Sequence, residues 1–262
     1  MAFGLQVNPA MSSSLSNPAP ANPAPCNPAI DVRYVLTHDA GDDEYARLLP
    51  QLNPDDRARA ARFLLLKDRI AFAAGRILVR RLLSQHAPEP ASGWQLTQNA
   101  FGKPALAPHP GLPDLRFNVS HTKGVVAAAL TFGREIGIDV ESLDHPVDFL
   151  EIARSQFSFV EVELLESLAK QNQRDAFFAL WTLKEAWTKA RGAGLSIPLS
   201  DFAFTLDPLG ICFSPQLAED PHAWFFLRDR ISPTLQLAIA AHRRPHERLT
   251  CSKHEVPLTD LF

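Results

Sequence analysis

Two stretches of this 262-residue chain, Gly124-Val-Val-Ala-Ala-Ala-Leu130 and Leu235-Gln-Leu-Ala-Ile-Ala-Ala241, echo one another as apolar strands built from small residues. Each closes a run of the same order: a strand, helices, then antiparallel strands. The first run opens where Val32, Tyr34 and Leu36 alternate as in a half-buried strand. Asn53-Pro54-Asp55-Asp56 then supplies a cap residue, a first-turn proline and first-turn acids, so a helical region starts there and runs to about His86, with a break near Leu66. The Pro- and Gly-rich residues 87–113 hold one short strand at 94–97. Strands at 115–118 and 124–132 flank a turn at 120–123. After the turn Gly133-Arg134-Glu135 the order repeats, with a strand at 136–141 and helices at about 160–170 and 174–191. The second helix is stopped by Gly192-Ala193-Gly194 and Pro198. Strands follow at 202–205, 211–213, 223–228 and 234–241. This recurrence restricts the chain to an α+β fold of two similar halves joined near residues 133–136.

The halves are expected at residues 30–134 and 135–245, with a C-terminal tail at 246–262. Residues 1–29 stand apart. They repeat Asn-Pro-Ala, hold six of the 22 prolines and carry no charged side chain. Without a basic start or an unbroken apolar core they are not a signal peptide, and they are expected to be a disordered extension. The net charge of −3 gives no global reason to bind nucleic acid. No apolar run is long enough to span a membrane. Three cysteines, far apart in sequence, suggest neither a disulfide framework nor a zinc site, which fits a reducing cytoplasm.

Four constellations carry chemistry. In Ile136-Gly-Ile-Asp-Val-Glu141, strand alternation puts Asp139 and Glu141 on one face, about 7 Å apart along the chain. Paired carboxylates at the rim of a buried strand suit a hard cation such as Mg²⁺, although exposed acid pairs are common. In Phe177-Phe-Ala-Leu-Trp-Thr-Leu-Lys-Glu-Ala-Trp-Thr-Lys189, residues Leu180, Leu183, Trp187 and Ala190 form an apolar stripe. Glu185 and Lys189 lie one turn apart across from it, which alone reads as an ordinary ion pair. Phe177, Phe178 and Trp181 flank that side too, so the helix is apolar nearly all round and is expected to be buried. The polar Asn118-Val-Ser-His121 cluster ends an apolar strand and offers a hydroxyl, an imidazole and free amides to a phosphate. No Gly-x-Ser-x-Gly accompanies it. Finally, eight Lys or Arg residues and one acid lie between Arg57 and Arg81. That is a local positive surface, joined by Lys103 on the Phe101-Gly-Lys-Pro104 loop.

Taken in order over residues 61–196, these motifs resemble the 4′-phosphopantetheinyl transferase superfamily, in its larger class that activates synthetases such as that of surfactin. The motifs are Gly102-Lys-Pro104, Phe117-Asn-Val-Ser-His121, Gly137-Ile-Asp-Val-Glu141, Trp181-Thr-Leu-Lys-Glu-Ala-Trp-Thr-Lys189 and Gly192-Ala-Gly-Leu195. The resemblance implies two pseudo-symmetric halves with the active site in the cleft between them. It also implies the reaction: Mg²⁺-dependent transfer of the phosphopantetheine arm of coenzyme A to a serine of an apo acyl or peptidyl carrier protein, releasing 3′,5′-ADP. By the same resemblance Asp139, Glu141 and Glu185 hold the metal, Glu185 and Lys189 are catalytic, and Lys103, Ser120, His121 and Lys189 contact coenzyme A. Lys67 is the first choice for its 3′-phosphate, with Arg57, Arg62 and Arg69 as alternatives. The carrier is expected between Leu143 and Leu165, with Phe149, Phe157, Phe159 and Arg154 as candidate contacts, although burial in the core is the usual fate of phenylalanine. A monomer acting in fatty-acid or secondary-metabolite synthesis is expected. The competing readings are a relative that binds coenzyme A or a carrier without catalysis, and a Mg²⁺-dependent phosphohydrolase.

Overall fold

The computed structural model describes residues 29–90 and 93–262. The extension expected over residues 1–29 therefore falls, but for Ala29, outside the described residues. The first run comprises β1 (Ile30–Leu36), α1 (Asp42–Leu48), α2 (Pro54–Ala60), α3 (Leu66–His86), β2 (Leu96–Gln98), β3 (Pro104–Leu106), β4 (Leu115–Thr122) and β5 (Val125–Phe132). The second comprises β6 (Ile136–Ser142), α4 (Phe149–Gln156), α5 (Phe159–Ser167), α6 (Lys170–Arg191), β7 (Phe202–Leu206), β8 (Leu209–Phe213), β9 (Trp224–Ser232) and β10 (Leu235–His242). A last strand, β11 (Cys251–Glu255), follows. No helix among the described residues is long and apolar enough to cross a membrane.

The α+β repeat is borne out strand by strand. In the first half β5 lies between β1 and β4; in the second, β10 lies between β6 and β9. All four pairings are antiparallel, and the registers correspond: Leu36 faces Val125 as Ser142 faces Leu235. The two echoing sequences are thus the central strands, where small residues allow packing on both faces. Ile30, Val32, Val125 and Ala127 meet Ile136, Ile138, Val140 and Ile239 in a core between the two sheets. Helix α3 covers the outer face of the first sheet through Ile77, Leu78 and Leu82, and α6 covers the second through Leu183, Trp187 and Ala190. The architecture is helix, sheet, sheet, helix.

Four local expectations change. The stretch 246–262, expected as a tail, belongs to the N-terminal half: β11 pairs in parallel with β1, and Ser252 Oγ donates to Asp31. Residues 120–122, expected in a turn, are the end of β4, and the connection narrows to Lys123 and Gly124, where φ is +81°. Trp94 is buried outside any strand, its indole N–H donating to Ser84 Oγ at 2.7 Å. Helices α1 and α4 and strand β3 were not foreseen; each is short, and α4 packs its apolar side, with Ala153 buried, on the core of the second half.

Two features fix α6, one against β6 and one against α5 and β7. Gly137 faces the helix backbone so closely that a Cβ there would lie 2.0 Å from the Ala186 carbonyl oxygen. On the helix's far side Lys184, fully buried, pairs with Glu161 at 2.7 Å and donates to the carbonyls of Leu199 and Phe202. Glu161 also accepts the amides of Ser158 and Phe204, tying α5 and β7 to α6. Burial pushes the Lys184 ammonium down to about 8, against the pull of Glu161. Lys184→Met is expected to cost roughly 3 kcal/mol in urea unfolding at pH 7, because it strands a buried carboxylate. Unfolded, the lysine holds its proton to its ordinary 10.5, so between about 8 and 10.5 the unfolded state binds more protons. The wild type therefore gains stability with rising pH in that window, and its margin over Lys184→Met should widen there; a narrowing margin would count against the buried charge.

Candidate active site

The candidate residues meet where β4 of one half runs beside β6 of the other. Strand alternation sends Ile136, Ile138 and Val140 into the inter-sheet core and turns Gly137, Asp139 and Glu141 towards α6. On β4 the alternate residues Asn118, Ser120 and Thr122 form a polar row along them. Asn118 Oδ1 accepts the Ile138 amide at 2.9 Å, Ser120 Oγ donates to Asp139 Oδ1 at 2.9 Å, and Thr122 Oγ1 donates to Glu141 at 3.3 Å. On α6, Trp181, Glu185 and Lys189 recur every fourth residue along the half-buried edge facing these acids.

Lys189 does not make the helical ion pair with Glu185. Its ammonium bonds Asp139 Oδ1 and also donates to Ser120 Oγ at 3.0 Å. Burial alone would lower its pKa; Asp139, Glu185 and Glu141 more than offset this and hold it above the ordinary lysine value. Burial, then the Asp139 charge, push Glu141 up to about 7, opposed by Lys189 and by hydrogen bonds from Thr122 and Trp181. The same two causes raise Glu185, which makes no hydrogen bond or ion pair among the described residues. His121 is exposed at the strand end. The surrounding protein and Lys189 lower its pKa, against Asp68 of the first α3 turn and Asp139.

Asp139 is 2 % exposed, and its second oxygen, Oδ2, is buried without a hydrogen-bond partner. An orphaned carboxylate oxygen beside two further acids is a donor set that suits a hard cation. Among the described residues no three His, Cys, Asp or Glu side chains are close enough to enclose an ion by themselves. Mg²⁺ is ordinarily held by one or two carboxylates, water and substrate phosphates rather than by an all-protein cage, so the residues present fit it in that mode. A cavity of about 290 Å³ opens beside the acids, lined by Glu185, Thr188, Lys189, Asn118, Lys103 and Phe101.

The structure thus brings together Asp139, Glu141, Glu185, Lys189, Ser120 and His121. It gives Ser120 a partner other than the expected phosphate: its hydroxyl is shared between Asp139 and Lys189. Lys103 is also used differently, since its ammonium donates to the carbonyls of Ile136 and Ala190, at 2.9 Å each. Of the four candidates for the 3′-phosphate, Arg57 is bound to the carbonyls of Leu52 and Pro50, and Arg69 to that of Phe63. Lys67 and Arg62 are exposed and have no such partner among the described residues. Sequence reasoning missed Thr122 and Trp181, the two groups holding Glu141. The signals were the period-two polar row of β4 and the four-residue spacing of Trp181 before Glu185.

Residues 135–240 match the family model described as the 4′-phosphopantetheinyl transferase superfamily, and residues 38–132 match that of the 4′-phosphopantetheinyl transferase N-terminal domain. The chain is 32% identical to the 4′-phosphopantetheinyl transferase Sfp of Bacillus subtilis, over 81% of this chain and 92% of that protein. It is 32% identical to the 4′-phosphopantetheinyl transferase HetI of a Nostoc species, over 72% and 78%. It is 30% identical to the human L-aminoadipate-semialdehyde dehydrogenase-phosphopantetheinyl transferase, over 64% and 57%. A solved structure, the holo-[acyl-carrier-protein] synthase of Thermotoga maritima, overlaps 42% of this chain and 63% of its own at 19% identity and a TM-score of 0.34, too partial an overlap to add to these. With both halves matched and an identity of 32% across nearly all of Sfp, this chain belongs to the 4′-phosphopantetheinyl transferase superfamily.

Proposed function

We propose that the chain transfers the phosphopantetheine arm of coenzyme A to a serine of an apo carrier protein at the junction of β4, β6 and α6. The observation that carries this reading is Asp139, fixed through one oxygen by Ser120 and Lys189 while the other is buried, unpaired and flanked by Glu141 and Glu185. Asp139, Glu141 and Glu185 would hold Mg²⁺. Bound there, the metal offsets the charge of the coenzyme A pyrophosphate. Glu185, directly or through water, would take the proton of the carrier serine as its oxygen attacks the β-phosphorus. As the bond to the α-phosphate breaks, Lys189 stabilises the departing 3′,5′-ADP or protonates it. Thr122 and Trp181 keep Glu141 oriented.

The experiment is a mass measurement. Incubation with coenzyme A, Mg²⁺ and an apo carrier domain should add one phosphopantetheine to the carrier. Release of phosphopantetheine without its attachment would mean a phosphohydrolase, and coenzyme A binding with no reaction would mean a non-catalytic relative. The carrier surface is proposed at the start of α5, where Phe159 and Val160 are 74 % and 58 % exposed. Phe157 and Phe149 pack against Phe177 instead, Phe157 within the core and Phe149 half-buried against it. Phe159→Asp should raise the KM for carrier; an unchanged value would remove this face.

Lys67 and Arg62 are the candidates left for the 3′-phosphate, and the setting of Lys67 in the α3 turn whose Asp68 acts on His121 favours it. Lys67→Ala is expected to raise the KM for coenzyme A about tenfold, the scale of one lost charge-assisted contact. The KM for 3′-dephospho-coenzyme A should stay the same; an equal rise for both would exclude the assignment. The cytoplasm is the proposed compartment, and the choice among acyl and peptidyl carriers rests with the carrier assay.

A further inference from the structure

Two glycine-containing motifs, Gly102-Lys-Pro104 and Gly192-Ala-Gly194, lie 90 residues apart yet form the two faces of one joint. The loop before β3 is a closed turn: Asn99 Oδ1 accepts the amides of Phe101 and Lys103, each at 2.9 Å. The Asn99 amide group donates at 2.7 Å to the carbonyl of Gly192, just past the end of α6. Gly192 has φ +64°, and a Cβ on it would come within 3.1 Å of both Asn99 Nδ2 and Lys103 Cδ. Gly194, at φ +57°, receives Phe101 in the same way. The loop belongs to the N-terminal half, and every group it grips belongs to the other.

Lys103 is the centre of this joint. One ammonium joins the carbonyl of Ile136, the first residue of β6, to that of Ala190 in the last turn of α6. Carbonyls of a last helical turn lack intrahelical donors and carry the negative end of the helix dipole, so a cation is favoured there. Burial pushes the ammonium down to about 8, opposed by Glu135 and assisted by Arg116. Further along the two pinned elements stand the acids: Asp139 is three residues from Ile136, and Glu185 is five before Ala190.

We propose that Lys103 is a positioning residue of the transfer reaction: its ammonium fixes β6 and α6 relative to each other and to the N-terminal half, and so sets the spacing of Asp139, Glu141 and Glu185 rather than binding a phosphate of coenzyme A. This rests on the reading of those acids as the metal-holding cluster. Lys103→Met and Asn99→Ala, singly and together, test it in the full chain. Turnover of Lys103→Met should fall about tenfold or more, the usual cost of losing a group that orients metal-holding side chains. The fall should be the same with coenzyme A and with 3′-dephospho-coenzyme A, while the KM for either moves less than about twofold; the double variant should lose little beyond the worse single one, since both break one joint. A second readout needs no activity: Tb³⁺ as a probe of the acidic cluster, its luminescence sensitised by Trp181 and competed by Mg²⁺, should bind about tenfold more weakly in Lys103→Met. A rise in KM confined to coenzyme A would make Lys103 a phosphate ligand and overturn the proposal. So would a lower melting temperature with unchanged turnover and Tb³⁺ affinity. A wild type that binds Tb³⁺ but modifies no carrier would refute the transferase reading, and the Tb³⁺ comparison would still decide the role of Lys103.

Discussion

Gly137→Ala is expected to cost more than about 4 kcal/mol of folding stability, at the extreme of single substitutions. The added methyl would sit 2.0 Å from the carbonyl oxygen of Ala186, 2.4 Å from the amide nitrogen of Ala190 and 3.0 Å from the carbonyl carbon of Lys189. All three are backbone atoms of α6, so no side chain can swing aside. Carbon and oxygen pack at about 3.5 Å, so the helix would have to lift by more than about 1 Å along its buried face. That face holds Leu183, Trp187 and Ala190, packed against Ala238 and Ala240 of β10. Lifting it also withdraws Lys189 from Asp139. Urea unfolding and the yield of folded protein check the prediction, and a variant with wild-type stability would show that α6 does not cross β6 this closely. The glycine of Gly-Ile-Asp-Val-Glu is thus explained by the helix it admits.

Asp139→Asn is expected to lower turnover about 10³-fold, the equivalent of several kcal/mol of transition-state stabilisation. The amide keeps the shape of the carboxylate and one oxygen for Ser120 and Lys189, but it removes the negative charge and the anionic oxygen that has no partner. Carrier mass shift over time measures the loss, with circular dichroism to show the fold retained. More than a tenth of wild-type turnover would remove Asp139 from the metal-holding set. Glu185→Gln separates the roles further: near-normal turnover at saturating Mg²⁺ would leave Glu185 without a part in proton transfer.

The sequence made β6 readable because its two faces differ in kind, apolar at Ile136, Ile138 and Val140 and acidic at Asp139 and Glu141. The central strands were readable as runs of small apolar residues. Strand β4 was misread at its end because Ser120, His121 and Thr122 carry the chemistry of a turn. Their polarity belongs to the neighbouring acids: Ser120 and Thr122 bond Asp139 and Glu141 across the boundary between halves. A strand end whose polar side chains serve a tertiary contact breaks the local rule that identifies strands. For Glu185 and Lys189 the spacing was legible but the pairing was not. A helical repeat places them one turn apart, yet only the tertiary fold offers Lys189 the buried Asp139 instead. Lys103 was legible as a cation on a rigid loop, whereas its carbonyl partners at Ile136 and Ala190 are far away in sequence. Strand β11 was missed because Cys251-Ser-Lys-His-Glu255 has no apolar alternation. As an edge strand it is held by the ladder to β1 and by side chains such as Lys253, which pairs with Asp229.

That edge strand has a consequence for how the chain is made. Asp31 of β1 and Ser252 of β11 are separated by 221 residues. The second half can pair β6, β10 and β9 from residues that leave the ribosome within one stretch of synthesis. The first half cannot complete its sheet until residues 251–255 have emerged. Through that interval the outer edge of β1 presents unpaired amides and carbonyls, the kind of surface on which strands of other chains add. β11 closes the edge opposite β4, so the strand that meets Asp139 and Glu141 does not itself wait for it.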